Sequence, residues 1–152
     1  MNKLIDNLSN SIVDSFNVAK ALPTTFRKLK FKQKFSFSER LNESTKIIKK
    51  YPDRIPVIVQ KSNLDKETKC INKRKYLVPR SLTVGQFLFV IRKRLTLGPD
   101  KALFLFVNDG FVPPVGSLLG TIYEENADED KFLYITYSAE NTFGSYKNYL
   151  YL

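Results

Sequence analysis

The 152-residue sequence predicts one α+β domain, a small mixed β-sheet with a helix on one face. Three observations lead there. After two helical segments, the chain reads β-β-α-β-α-β, a hairpin-like pair of strands followed by a helix and two more strands. The apolar fraction of 43% is that of a globular chain with a real core. No run of about 18 apolar residues occurs, so no segment reads as a membrane span.

Residues 3–22 read as an amphipathic helix within an N-terminal extension, residues 1–26. Leu4, Ile5, Leu8, Ile12, Phe16, Ala19 and Leu22 fall in one arc of roughly 120° at about 100° per residue. Asp6, Asn7, Asn10, Ser11, Asp14 and Asn17 fill the other side, and Pro23 ends the helix. Lys3 and Lys20 offset Asp6 and Asp14, so this is not a basic helix that reads anionic membrane by charge. Two roles stay open: a cap on the chain's own domain or a partner, or insertion of Leu4, Ile5, Leu8, Ile12 and Phe16 into loosely packed lipid.

Residues 24–35 interleave Phe26, Phe31 and Phe35 with Arg27, Lys28, Lys30, Lys32 and Lys34. The pattern suits a short helix or connector with a solvated basic face better than a surface for single-stranded nucleic acid. A second helix spans about 37–50. Ser36 and Glu39 make a capping box, and Phe37, Leu41, Ile47 and Ile48 supply its buried side.

The β-branched run Arg54–Lys61 is a strand whose Pro56 marks an edge or the start of pairing. An edge strand offers backbone groups that a partner peptide can join. A polar connection, 62–73, leads to a second short strand, Lys75–Pro79. Thr83–Leu95 is the clearest helix. Thr83 and Gln86 form a capping box, Val84, Phe87, Leu88, Val90, Ile91 and Leu95 recur at helical spacing, and Arg92, Lys93 and Arg94 complement the dipole at its end. The apolar run Leu103–Val107 reads as a central strand, and Ser117–Glu125 as a short helix.

The acidic run Asp128–Asp130 reads as a solvated turn. In the last strand, Phe132, Tyr134 and Thr136 line one face and Leu133, Ile135 and Tyr137 the other, as a strand buried on both sides requires. A polar arm, 138–142, then leads to Gly144. The first and last strands can pair in the centre, which is the β-grasp arrangement of ubiquitin-like domains. A buried strand that ends in an exposed arm and a glycine suits a C-terminal chemical handle, because an enzyme's narrow groove can enclose a residue without Cβ.

Charge and composition narrow the chemistry. The net charge is +10, but residues 100–152 carry −5 and the remainder +15. That asymmetry suggests a basic face meeting an acidic peptide, lipid headgroup or nucleic acid. With no histidine and one cysteine, His-based catalysis, His metal ligands, a cysteine zinc site and an internal disulfide are excluded within the chain. Cys70 in its Lys-rich loop could act as a nucleophile only if a base activated it, and an enzyme reading has little support. No phosphate-loop or dinucleotide motif is present. The expectation is a chain that is not an enzyme and needs no cofactor.

The stretches KKYPDRIPVIVQK (49–61), KRKYLVPRSLTVGQFLFVIRKRL (73–95), DKALFLFVN (100–108), IYEENADEDKFLYITYS (122–138) and ENTFG (140–144) closely resemble the autophagy ubiquitin-like modifiers. That family includes GABA-receptor-associated protein and microtubule-associated protein light chain 3. The likeness covers about residues 27–144. It implies a four-stranded β-grasp domain over 27–144 with two additional N-terminal helices, and a removable tail over 145–152. It implies that a cysteine protease cuts after Phe143-Gly144 and before Ser145, and that activating and conjugating enzymes join Gly144 to phosphatidylethanolamine. It also implies a cytoplasmic protein that, once lipidated, resides on autophagosome and vacuole- or lysosome-related membranes.

Receptors and cargo of this family present a W/F/Y-x-x-L/I/V segment as an added strand. The residues matching the family's aromatic pocket are Glu43, Ile47, Pro56, Ile58, Lys75, Leu77 and Phe132. Those matching the aliphatic pocket are Tyr76, Val78, Pro79, Leu82, Phe87, Val90 and Ile91, with Arg54 nearby. No nucleic acid partner is expected. The reading of another class is an unconjugated peptide-binding or membrane-docking module anchored by the N-terminal helix.

Overall fold

The computed structural model describes residues 29–141. The amphipathic segment 3–22 and the Gly144 handle lie outside the described residues. The elements are α1 (Phe31–Lys34), α2 (Phe37–Lys50), β1 (Arg54–Lys61), β2 (Lys75–Pro79), α3 (Val84–Leu95), β3 (Lys101–Val107), α4 (Leu119–Asn126) and β4 (Leu133–Asn141).

The four strands form one sheet in the order β2-β1-β4-β3. β1 pairs antiparallel with β2, Arg54 facing Pro79 and Ile58 facing Lys75. It pairs parallel with β4, Val57 facing Leu133 and Lys61 facing Tyr137. β3 pairs antiparallel with β4. The first and last strands therefore meet in the centre, and the sheet is a β-grasp.

Side-chain alternation sorts the sheet into two buried faces. Ile55, Val57, Val59, Tyr76, Val78, Leu103, Leu105, Val107, Leu133, Ile135 and Tyr137 share one core cluster with α3 and α4. Ile58, Phe132 and Tyr134 pack on the opposite face with Phe31, and Phe35 closes over them. Phe31 meets the Phe132 ring edge-on at 5.5 Å, a favoured aromatic geometry. The strand β4 is covered on both sides, which explains why both faces of residues 133–137 are buried.

Both predicted capping boxes are present. The Thr83 side chain accepts from Gln86 N, and the Ser36 side chain from Glu39 N. α3 closes at Thr96, which takes the left-handed conformation at φ 52, and presents Arg92, Lys93 and Arg94 in its last turn.

Five expectations are corrected. Of the two readings of Pro56, the edge falls, since β1 is interior and the edges are β2 and β3, while the start of pairing agrees with the structure. Pro56 sits one residue before the parallel ladder with β4 begins at Val57, so its missing N–H leaves that ladder whole. Leu103–Val107 is an edge strand. Leu103, Leu105 and Val107 enter the core while Phe104 is 41% exposed, an alternation that a continuous apolar run conceals.

Phe37 does not join the buried side of α2. It is 45% exposed, and Arg40 and Ser44, one turn apart, hold the buried positions instead. The acidic run is not a solvated turn, because Asp130 is fully buried. The polar arm is strand as far as Asn141, and Ser138 within it is 2% exposed.

Candidate functional site

The outer side of β2 is the sheet edge next to the longest stretch of the matched residues, and, Pro79 apart, the residues of the two sets on β2 fall on its two faces. Lys75, Leu77 and Pro79 alternate with Tyr76 and Val78. Leu77 and Pro56 face each other in register, as do Val78 and Ile55. Ile58 and Phe132 belong to the face covered by α1. Tyr76, Val78, Leu82, Phe87, Val90 and Ile91 belong to the core beneath α3. Along β2, Lys75 and Leu77 share one face and Tyr76 and Val78 the other, while Pro79, matched to the aliphatic set, falls at the strand end on the Lys75–Leu77 side.

Exposure separates the residues a partner can touch from the floor beneath them. Pro56, Ile58, Leu77 and Phe132 are buried on the aromatic side, and Glu43, Ile47 and Lys75 are partly exposed at the rim. On the aliphatic side Tyr76, Val78, Leu82, Phe87, Val90 and Ile91 are buried core, and only Arg54 and Pro79 reach the surface. The six buried residues hold the strand and helix in place.

The rim is charged and ordered. Lys75 Nζ lies 2.6 Å from Glu43 Oε1, joining β2 to α2. The same ammonium sits over the rings of Phe31 and Phe35, at 5.5 and 5.3 Å from their centroids, a cation–π arrangement. Lys34 is close by. Burial first, then the charges of Arg74 and Lys75, hold its pKa below the ordinary lysine value. The edge is therefore a strand with cations at its α2 side, suited to an extended peptide flanked by acids.

Residues missed in the sequence support this site from behind. Asp130 Oδ2 accepts from Arg40 Nε at 2.7 Å and from the Tyr134 hydroxyl. Burial and the Asp130 carboxylate push the Tyr134 phenol upward. Arg40 Nη1 donates to Phe35 O at 2.6 Å, and Ser44 Oγ donates to Asp130 O at 2.5 Å. The signal available was the pair Arg40 and Ser44 at i, i+4 on the apolar side of α2, polar residues that needed a buried partner.

β4 ends its pairing at Asn141, opposite Lys101. The next residues in the sequence are Thr142, Phe143 and Gly144. No group of metal-ligating side chains occurs among the described residues. No helix there is long and apolar enough to cross a membrane.

A sheet with its first and last strands paired at the centre, one long helix across a face and a chain leaving at the end of β4 defines a ubiquitin-like protein. Comparison with known proteins narrows the class. The model of the family described as autophagy protein Atg8, ubiquitin-like, matches residues 39–144. Autophagy-related protein 8 of Schizosaccharomyces pombe is 59% identical over 116 residues, 76% of this chain and 93% of that protein. Autophagy-related protein 8e of Arabidopsis thaliana is 56% identical over 115 residues, 76% of this chain and 93% of that one. Among solved structures, Trypanosoma brucei ATG8 superimposes with a TM-score of 0.69 at 40% identity, covering 76% of this chain and 98% of its own. Plasmodium falciparum Atg8, solved with a Plasmodium falciparum Atg3 peptide, gives 0.67 at 36% identity, covering 72% and 95%. The chain belongs to the Atg8 family of autophagy ubiquitin-like proteins.

Proposed function

We propose that this chain is a conjugated modifier rather than an enzyme: it is cut after Gly144, joined through that glycine to phosphatidylethanolamine, and thereafter acts as a membrane-anchored adaptor in autophagosome formation. The observation that carries the reading is the course of β4. A strand buried on both faces leads out of the sheet at Asn141, and the family match continues to residue 144. Gly144 follows three residues after the strand's last residue, and a residue without Cβ is one that an enzyme's narrow groove can enclose. The ubiquitin-like domain then spans 27–144, with residues 145–152 as the removed tail. A cysteine protease and activating and conjugating enzymes handle the glycine, and the lipidated form belongs on autophagosome and vacuole- or lysosome-related membranes.

The adaptor half of the proposal rests on the β2 edge. A W/F/Y-x-x-L/I/V segment adds as a further strand. Its aromatic side chain seats near Glu43, Ile47, Lys75 and Leu77, and its aliphatic side chain near Arg54, Pro79 and the α3 side of the sheet. The peptide-bound state of the Plasmodium falciparum relative supports a conjugating enzyme among the partners.

The test is the intact mass of the protein from cytosol and from membranes, with a Gly144→Ala variant beside it. The expected result is a chain ending at Gly144 that carries a phospholipid mass in the membrane fraction, and loss of that form in the variant. Membrane recovery of the variant equal to wild type would overturn the proposal. If recovery then fell on changing Leu8 and Phe16 to Asp, the unconjugated membrane-docking module would stand in its place.

A further inference from the structure

Away from the β2 edge, an open cleft of about 340 Å³ lies between residues 29–30, the C-terminal end of β1 and the 62–74 connection. Lys30, Lys61, Lys66 and Arg74 border it, and Asp65 is the one carboxylate in its lining. Three of the four cations are held by neutral carbonyls. Lys30 Nζ donates to Lys61 O at 2.6 Å, Lys61 Nζ to Thr68 O at 2.8 Å, and Arg74 to Leu29 O. Those bonds fix the side chains and leave the positive charges in place.

Asp65 makes no ion pair with them; its oxygens face backbone donors, and its single negative charge leaves the four cations in excess. It accepts from the backbone N–H groups of Glu67 at 3.1 Å, Thr68 at 2.9 Å and Ala139 at 2.9 Å. The ion pairs found among the described residues, Lys32–Asp128, Arg40–Asp130, Lys75–Glu43 and Arg80–Glu124, include none of the four cations of the cleft. Burial, with Arg74 and Lys61 adding repulsion and Asp109 opposing it, holds Lys30 below the ordinary lysine range. Cations crowded this way gain from an anion placed among them. Arg74 contributes a planar fork that matches phosphate oxygens, and each lysine keeps spare donors.

Position in the fold indicates the source of the anion. The walls of the cleft are tied to the C-terminal half of β4: Ser62 N donates to Tyr137 O at 2.8 Å, and the Tyr137 hydroxyl donates to Lys69 O at 2.8 Å. Tyr137 lies opposite Lys61. From Tyr137 to Asn141 the strand advances about 13 Å at ~3.3 Å per residue, and Gly144 is at most about 11 Å further. The cleft therefore lies at the same end of the sheet as the strand terminus that leads to Gly144, the end that the anchoring proposed above would tether to the bilayer.

We propose that the cleft is a phosphate-binding site and that its ligand is the headgroup of an anionic phospholipid in the membrane on which the chain is held. The choice of a lipid over free phosphate rests on the anchoring proposed above; the anion site itself rests on the cleft.

The experiment uses the full unprocessed chain, unconjugated, with Leu8→Asp and Phe16→Asp in all samples so that the N-terminal segment does not dominate. Phosphatidylcholine vesicles with and without phosphatidylinositol 4-phosphate are compared by co-sedimentation. The alkylation rate of Cys70, the single cysteine and a residue of the cleft lining, reports occupancy. Vesicles containing phosphatidylinositol 4-phosphate should bind and slow Cys70 alkylation several-fold, and plain vesicles should do neither. Combined Lys61→Gln, Lys66→Gln and Arg74→Gln should weaken binding by about tenfold or more. Lys66→Gln alone, at an exposed position, should weaken it measurably without touching the fold. Removing the same number of charges at Lys46, Lys49 and Lys50 on α2 should change it less than twofold.

Equal losses from the two sets of variants would mean unspecific charge attraction and overturn the site. Protection of Cys70 by inorganic phosphate with no vesicle binding would overturn the lipid as ligand. Neither result depends on conjugation at Gly144, so a failure here is distinguishable from a failure of the modifier reading.

Discussion

Arg40 on α2 and Asp130 ahead of β4 form an ion pair, Nε to Oδ2 at 2.7 Å, with Asp130 fully buried and Arg40 8% exposed. The pair is completed on every side. Phe132 N donates to Asp130 Oδ1 at 3.0 Å, Tyr134 donates to Oδ2, and Arg40 Nη1 donates to Phe35 O. Its effect is positional. It clamps the α1–α2 corner over β4, and Glu43 and Ile47, one and two turns along α2 from Arg40, are thereby held beside β2.

Removing one partner is the first prediction. Arg40→Ala strands a buried carboxylate, and Asp130→Asn strands a buried guanidinium. Each should cost about 3–5 kcal/mol, read as a shift of the urea midpoint with an unchanged slope. Replacing both with apolar residues of similar volume should recover much of the loss. A single-variant loss below about 1 kcal/mol would show that water enters this corner and the clamp is not desolvated.

Asp65 predicts an acid limit on stability. Burial alone would raise its carboxyl, but N–H donors of Ala139 and Thr68, the Thr68 side chain and the Glu67 N–H outweigh it and hold the pKa below the usual value. Asp128 is lowered similarly, with Lys32 as the main opposing partner to burial. A folded pKa below the unfolded value of about 3.9 means stabilisation that is complete above that pH and is lost as pH falls through the folded value. Urea midpoints should be insensitive to these groups above about pH 5 and should fall steeply below 4. Asp65→Asn should destabilise at neutral pH, and its difference from wild type should shrink in acid. A difference that stays constant down to pH 2 would count against the carboxylate as the cause.

Tyr76 carries the one buried side-chain polar atom without a hydrogen-bond partner found among the described residues. Its ring fits the core edge-on to Phe87 at 5.7 Å, and burial pushes its phenol upward. An unpaired buried hydroxyl costs roughly 1–3 kcal/mol. Tyr76→Phe keeps the ring contact and removes that cost, so it should leave the protein as stable or up to about 2 kcal/mol more stable. A clear loss of stability would reveal a water or partner on the hydroxyl.

What the sequence made legible was local or periodic. The helix Val84–Leu95 carries its cap, its apolar spacing and its terminal cations within thirteen residues, so its bounds follow from neighbours alone. The two-faced burial of β4 was legible because Phe132, Tyr134 and Thr136 alternate with Leu133, Ile135 and Tyr137 with no exposed side between them. Strand order was harder. LFLFV reads as central, yet β3 is an edge, because the difference lies in which strand stands beside it. Phe37 and Arg40 exchanged roles for a similar reason: Asp130, ninety residues away, supplies the charge that makes a buried arginine tolerable. Only family resemblance marked the residues proposed for the two pockets. Most are core by burial, and nothing in composition sets them apart from other core residues.

Lys75 gives the sharpest test of the β2 edge, because its contribution to folding and its contribution to binding differ in size. Its ion pair with Glu43 is partly exposed, the two side chains retaining 29% and 31% of their accessibility. Such a pair is worth about 0–1 kcal/mol, and the cation–π contacts with Phe31 and Phe35 add about 0.5–1 kcal/mol at this exposure. Lys75→Glu should therefore cost no more than about 2 kcal/mol of stability. Toward an acid-flanked W/F/Y-x-x-L/I/V peptide the same change turns attraction into repulsion at the rim, and affinity should drop by about tenfold or more. Titration of a fluorescent peptide at two ionic strengths checks this. The wild-type affinity should weaken with salt and the variant's should strengthen or stay level. Equal affinities for wild type and variant would place the peptide elsewhere on the domain.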